Sequence, residues 1–220
     1  MKPQLIVMVL TSITSLNAAV LVGYDFGSSP GAGTLEATTE LSGVSGSAIG
    51  VGNVSSSGAV ATGLGFDSPV FQINPPINTT NAAEAVANGT YFSFTVTPDA
   101  LMTIDLTSLT FNAARGGASE PRGFAVRSSV DSFASDLLTA DVPTIRPGFT
   151  DFSVDLTGAE FDNLTTATEF RIFIFSPLPG NSIEFDDLVL NGDIATVPEP
   201  SALALFGLGF VCFVGLRRRN

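Results

Sequence analysis

Apolar and polar residues alternate in short runs along most of this chain, and glycine, proline, asparagine and serine break the runs. A period of two is that of a half-buried strand, whose successive side chains face opposite ways. In residues 90–97, TYFSFTVT, it puts Phe92, Phe94 and Val96 on one face. In residues 101–111 it begins with Met102, Ile104 and Leu106, then changes parity at Leu109 and Phe111, which predicts a bulge near Thr107 and Ser108. Residues 123–129 bury Phe124 and Val126, and residues 149–156 bury Phe152, Val154 and Leu156. Residues 169–175 turn Phe170, Ile172 and Ile174 inward and leave Phe173 and Phe175 for a second surface or a partner. Further strands are expected at residues 20–26, 70–73 and 182–192, with weaker ones at 34–41 and 48–51. One helical turn fits within NTTNAAEAVANG, residues 78–89.

Eight or more short strands with no helix of weight predict an all-β protein, a β-sandwich of jelly-roll type. Eighteen phenylalanines and no tryptophan suit a core made from the inner faces of two sheets. The sandwich is expected over residues 20–195 as one domain, with no internal repeat and no dividing linker.

The two ends break the strand pattern. Lys2 precedes an apolar stretch at residues 5–16, and Asn17, Ala18 and Ala19 follow it. This is the layout of a signal peptide over residues 1–19, cut after Ala18 or Ala19. At the other end, residues 202–216 form an uncharged apolar run of 15 residues, between Pro198-Glu199-Pro200 and Arg217-Arg218-Arg219. As a helix it would be about 22 Å long, a minimal transmembrane span against a hydrocarbon core of about 30 Å. The arginines can snorkel and hold that end on the cytoplasmic side, which faces the domain outward. Each proline blocks helix propagation, so the tripeptide is an extended strip outside the membrane. A buried core helix is the alternative for residues 202–216, but core helices are seldom so uniformly apolar.

Motif, apolar run and terminal arginines, in this order, resemble the PEP-CTERM sorting signal over residues 197–219. That resemblance implies recognition by an exosortase and cleavage near Pro198, Glu199 and Pro200. It also implies passage from the inner membrane to the cell surface or extracellular matrix, the biofilm setting of a Gram-negative, exopolysaccharide-making bacterium. A permanent tail anchor is the competing reading. YDF at residues 24–26 and FDDLVLNG at residues 185–192 resemble the jelly-roll, galactose-binding-like modules of secreted bacterial proteins. RSSVDSF at residues 127–133 resembles a segment of other exported proteins with this tail.

Composition narrows the chemistry. The net charge is −12, and between Tyr24 and Ile194 twenty acids face five arginines. Nucleic acid is a poor partner for such a surface. The only cysteine, Cys212, lies in the apolar run, so the domain has neither disulfide nor thiolate chemistry. With no histidine, Ser-His-Asp and Cys-His catalysis and histidine-based zinc sites are excluded. Without lysine beyond Lys2, Schiff-base and P-loop chemistry go too. Carboxylate hydrolysis of glycosides is the common route left, and it needs two acids across a cleft. The expectation is a non-enzymatic surface protein, structural or adhesive, with a carbohydrate-binding module for exopolysaccharide as the alternative and a glycoside hydrolase as a remote one.

Three sets of residues are candidates for a site. In the jelly rolls resembled, the first and last strands lie side by side and often hold a structural calcium, which places Asp25 and Asp187 as its ligands. Exposed acids on edge strands, which deter edge pairing, are the plainer reading. Glu184 and Asp186 fall on the face opposite Asp187. The loop ARGGASEPRG, residues 114–123, carries Arg115 and Arg122, and with Arg127 it offers a ligand-facing rim. Arg127 is also placed to pair with a carboxylate or loop carbonyls beside Asp131. Four Asn-X-Ser/Thr triplets, at Asn53, Asn78, Asn88 and Asn163, are read as accidental in so Thr/Ser-rich a chain.

Overall fold

A computed structural model of the chain describes residues 18–29, 31–54 and 59–197. Residues 1–17 of the expected signal peptide and the apolar run 202–216 lie outside the described residues, while Ala19 opens the first strand. Among the described residues no helix is long and apolar enough to cross a membrane.

The strands follow the alternation. In chain order they are β1 (Ala19–Tyr24), β2 (Thr39–Glu40), β3 (Val44–Gly46), β4 (Gly50–Val51), β5 (Ala59–Ala61) and β6 (Val70–Ile73). A short helix α1 (Ala82–Asn88) comes next, then β7 (Tyr91–Pro98), β8 (Met102–Arg115), β9 (Gly123–Ser128), β10 (Leu138–Asp141), β11 (Thr150–Asp155), β12 (Thr168–Phe175) and β13 (Ile183–Thr196). One sheet has the order β11-β8-β13-β1-β2, with β6 also on β13 and β5 on β6. The other has the order β10-β9-β12-β7-β3, with β4 also on β7. The two sheets make an all-β sandwich. The first and last strands pair antiparallel, Tyr24 opposite Leu188.

The parity change in β8 is a bulge. Leu106 pairs with Gly192 and Ser108 with Asn191, which leaves Thr107 as the extra residue. Ile104 and Leu106 before it, and Leu109 and Phe111 after it, all face the core. β13 runs beyond the expected residue 192 and pairs as far as Thr196 with Met102. Residues 34–41 are strand only at Thr39–Glu40, and β5 and β10 carry too few alternating positions to stand out in sequence.

Between the sheets the phenylalanines interlock. Phe92 of one sheet meets Phe71 and Phe185 of the other at ring-centroid distances of 5.0 and 4.8 Å. Phe124 meets Phe111 at 5.1 Å and Phe152 at 4.8 Å, edge to face. Tyr24 reaches Phe94 at 5.5 Å and anchors its hydroxyl on the Ser47 carbonyl, 2.6 Å. Such tilted and edge-on contacts are the favoured geometry of aromatic pairs.

Phe173 and Phe175 point outward, as their parity requires. Helix α1 covers them, placing Ala85 against Phe173, Phe175 and Ala125 in a small second core. The helix is fixed at both ends. Asn81 Oδ1 accepts from the Glu84 amide at 3.0 Å, and Glu84 Oε2 accepts from the Thr80 amide at 2.6 Å. That Thr80 amide holds the Glu84 carboxyl below its ordinary value. Gly89, at φ 65°, closes the other end in the left-handed conformation.

Phe92→Ala is expected to cost about 3–5 kcal/mol of stability, because a fully buried ring leaves a cavity touching both sheets. Phe66→Ala, which removes one half of a stacked pair with Phe149 outside the main core, is expected to cost about 1 kcal/mol. Urea unfolding of a chain spanning residues 18–197 checks the difference; equal costs would contradict the ring core as the main support.

Candidate functional site

The seven-stranded sheet carries its polar chemistry on the outer face of β11, β8 and β13. Asp151 is in register with Asn112, and Asn112 with Asp186. Two residues on, Ser153 is in register with Thr110, and Thr110 with Val189. Between those pairs β13 holds one more residue than β8, so Asp187 and Leu188 together oppose Phe111 and form a second bulge. Asp187 takes φ 49°, a left-handed value that aspartate tolerates better than most side chains. The bulge also inverts parity: Ile183 and Phe185 face the core before it, Leu188 and Leu190 after it.

The bulge sets up a hollow of about 440 Å³ lined by Thr110, Asn112, Asp151, Ser153, Asp187 and Val189, with Phe111 and Phe152 at its base. Asn112 Nδ2 donates to Asp187 Oδ2 at 3.1 Å and holds that carboxylate in the wall. Hydroxyl, amide and carboxylate groups together suit a neutral polyhydroxyl ligand, and the carboxylates repel an anionic one.

Asp25 follows Tyr24, where the pairing of β1 with β13 ends opposite Leu188, and the charges of Asp25 and Asp187 both act on Asp186. Asp25 Oδ1 accepts from the Gly27 amide at 2.9 Å, and Asp186 Oδ1 from the Asp187 amide at 3.0 Å. Burial pushes the Asp186 carboxyl up from 3.8 to about 6. The Asp187 amide opposes the shift, and the charges of Asp187 and Asp25 add to it. Calcium takes six to eight oxygens. Among the described residues no three histidine, cysteine or acidic side chains are grouped to hold a metal ion, so two carboxylates fall well short of a shell made by side chains.

Arg115 and Arg122 turn inward from their loop. Arg122 is 4% exposed and donates to the Ser182 carbonyl at 2.8 Å; Arg115 pairs with Glu120. Arg146 pairs with Glu184, which is fully buried, and the charges of Glu184, Arg115 and Arg146 all act on Arg122. Glu184 Oε1 accepts from Ser182 Oγ at 2.5 Å, Gln72 Nε2 at 3.0 Å and Arg146 Nη1 at 3.0 Å. Burial lowers the Arg122 pKa, with Arg115 and Arg146 adding to the fall, and Glu184 resists it. Gly116 is required here, because a Cβ on it would lie 2.1 Å from Ser182 Oγ. A buried carboxylate bonded in this way holds three segments of chain together, and losing one partner leaves an uncompensated charge.

Arg127 lies on the outer face of the other sheet, far from that group. It pairs with Asp136 at 2.5 Å and donates to the Phe133 carbonyl at 2.8 Å, while Asp131 caps its own turn through the amides of Ala134 and Ser135. Thus the three arginines expected on one rim serve two separate places. Arg146, Asn112 and Asp151 carry no sequence signal for their sites, since only strand register brings them there. Pro198, Glu199, Pro200, Arg217, Arg218 and Arg219 lie outside the described residues.

The family model of the PEP-CTERM protein-sorting motif matches residues 196–219, so the chain carries that motif at the position its tail resembles. No curated protein matches the chain. Similar solved structures include a family 11 carbohydrate-binding module from Clostridium thermocellum, 11% identical over 82% of this chain and 97% of that one, with a TM-score of 0.39. The xylan-binding domain from Paenibacillus barcinonensis is 9% identical over 81% and 97%, TM-score 0.37. The K3 adhesin domain of Lys-gingipain from Porphyromonas gingivalis is 19% identical over 56% and 74%, TM-score 0.36. These scores lie below 0.5, and the sandwich rests on its own strand pairing.

Because Asp186 has a higher pKa folded than unfolded, its stabilising share is complete below about pH 4 and is lost as pH rises through about 6. Asp186→Asn is therefore expected to melt above the parent at pH 7 in metal-free buffer, with the gap closing below about pH 4. Thermal melts across that range check the sign.

Proposed function

We propose that this chain is an exported cell-surface or matrix protein, processed by an exosortase and serving a structural or adhesive role. The observation that carries the reading is the PEP-CTERM motif directly after the last strand of a sandwich: the motif match begins at residue 196, where β13 ends. An apolar run of 15 residues, flanked by Pro198-Glu199-Pro200 and three arginines, gives a membrane-embedded enzyme a short helix with an extended outer flank. The sandwich itself is read as a jelly roll. Support comes from antiparallel pairing throughout the named strands of both sheets and from β1 lying beside β13.

The processing reading is tested by mass. In an exosortase-bearing host the mature protein recovered from the surface is expected to lack residues 202–220. Replacing Pro198, Glu199 and Pro200 with alanine is expected to leave uncut protein in the inner membrane. A mature mass that still includes residues 202–220 means a permanent tail anchor instead.

Contact with a neutral exopolysaccharide is the second reading, and the hollow on β11, β8 and β13 favours it. Asn112 and Asp151 offer the directional hydrogen bonds, and the acidic surface argues against a polyanionic glycan. A screen of neutral and acidic polysaccharides is expected to give retention on neutral ones only, weakened by Asn112→Ala and Asp151→Ala. Retention unchanged by both substitutions would move the contact elsewhere. A structural calcium at Asp25 and Asp187 belongs to the same reading, with backbone carbonyls and water completing its shell. The melts at pH 7 test it directly: calcium bound only to the folded state raises the midpoint and a chelator reverses the rise, and a midpoint indifferent to both removes the metal.

A further inference from the structure

The end of the sandwich from which the tail leaves is apolar in a way the fold does not require. Leu101 sits in the turn between β7 and β8 and is 61% exposed, the most exposed large apolar residue among those described. Its φ is 65°, in the left-handed region where a glycine or asparagine would sit without strain. Leu41 and Val197, each 37% exposed, share the same end. The Leu41 carbonyl accepts from the Val44 amide at 3.2 Å to close its turn, and three contacts join that turn to Leu101 and to the end of β13. The Val197 amide donates to the Leu101 carbonyl at 2.8 Å. The Asp99 amide donates to the Gly43 carbonyl at 2.9 Å, which joins the turn after Leu41 to the turn of Leu101. Gly43 in turn lies against Ile194 and Met102, a Cβ there falling 3.6 and 3.8 Å from their side chains.

Chain length fixes what this end faces. β13 is bonded to β8 up to Thr196, and Val197 is held by Leu101, so no slack precedes Pro198. Only residues 198–201 separate Val197 from the start of the apolar run. Five extended steps reach at most about 18 Å. If residues 202–216 enter a bilayer, the Leu41, Leu101 and Val197 end cannot stand far from the headgroups. Charge narrows the surface. Glu40 and Asp99 lie at this end, whereas Arg115, Arg122 and Arg146 gather at the opposite end of β8 and β13, about 45 Å away along a 14-residue strand. A zwitterionic lipid surface fits this end and an anionic one does not.

We infer that Leu41, Leu101 and Val197 form a membrane-contact face that seats the uncut protein upright on the bilayer interface, with Pro198, Glu199 and Pro200 held at headgroup level. The inference rests on the membrane reading of the tail given above. A contact of three side chains is weak alone, but the tether makes it intramolecular and raises its effective concentration. Seated in this way, the sandwich carries its arginine-bound Glu184 end outermost.

The chain has no tryptophan, so a single introduced one reports its own surroundings. Four full-chain variants are placed in phosphatidylcholine vesicles with brominated acyl chains: Leu101→Trp, Val197→Trp, Phe210→Trp in the apolar run, and Leu178→Trp, which is 53% exposed at the far end. Leu101→Trp, Val197→Trp and Phe210→Trp are expected to emit at shorter wavelength and to be quenched, and Leu178→Trp to emit as in water. If Phe210→Trp is quenched while Leu101→Trp and Val197→Trp behave as Leu178→Trp does, the contact face is overturned and the tail reading stands. If Phe210→Trp is itself unquenched, the tail reading fails and the contact face fails with it. Val197→Trp keeps the test decisive should Leu101→Trp disturb its strained turn.

Discussion

Rings crossing between two sheets are the contact on which the rest of the molecule depends. Phe92, Phe94, Phe124 and Phe170 reach from one sheet, and Phe71, Phe111, Phe152, Phe185 and Tyr24 from the other. Hydrophobic burial at about 25 cal/mol per Å² makes large rings the most effective residues for a thin core. A chain with no disulfide in its domain has no covalent link to spare these contacts. Because every strand must keep its rings inward, register is fixed tightly, and any extra residue has to be absorbed as a bulge.

Those bulges are where the sandwich acquires features beyond a core. Thr107 in β8 absorbs a parity change with no chemistry attached. Asp187 and Leu188 absorb another in β13, and there an acid stands in the bulge beside Asp186. Asp187 is turned out into the wall of a hollow, and Asp186 is left half starved of solvent beside two other charges. A local adjustment that keeps Phe185 and Leu188 both inward thus sets a carboxylate in the wall of a hollow. Two residues before Asp186 on the same strand, Glu184 is buried beside arginines from two loops, which ties those loops to the sheet.

β13 also joins fold to export. It pairs with β8 along its whole length and stops at the residue where the PEP-CTERM motif begins. A domain that ended earlier would hang on a flexible leash. This one ends in hydrogen bonds one residue before Pro198. The sorting motif and the fold therefore meet at a single point of the chain.

The sequence by itself determined the strand faces, the bulge in β8, the outward placement of Phe173 and Phe175, and the nature of the tail. These are local patterns: alternation reads the side of a sheet, and an apolar run between prolines and arginines reads the same in any fold. The resemblance to jelly rolls set the first strand beside the last, and β1 does pair with β13. Only the tertiary structure decided that Arg115 pairs with Glu120, Arg122 with the Ser182 carbonyl and Arg146 with Glu184, that Arg127 serves Asp136 on the other sheet, and that Asn112 and Asp151 share a hollow with Asp187. Strands as short as β3, β5 and β10 were equally hidden, because three or four residues hold too little alternation to be read. The physical reason is common to all of these. Which polar groups meet depends on strand order and register across residues far apart in the chain, and no local period encodes that.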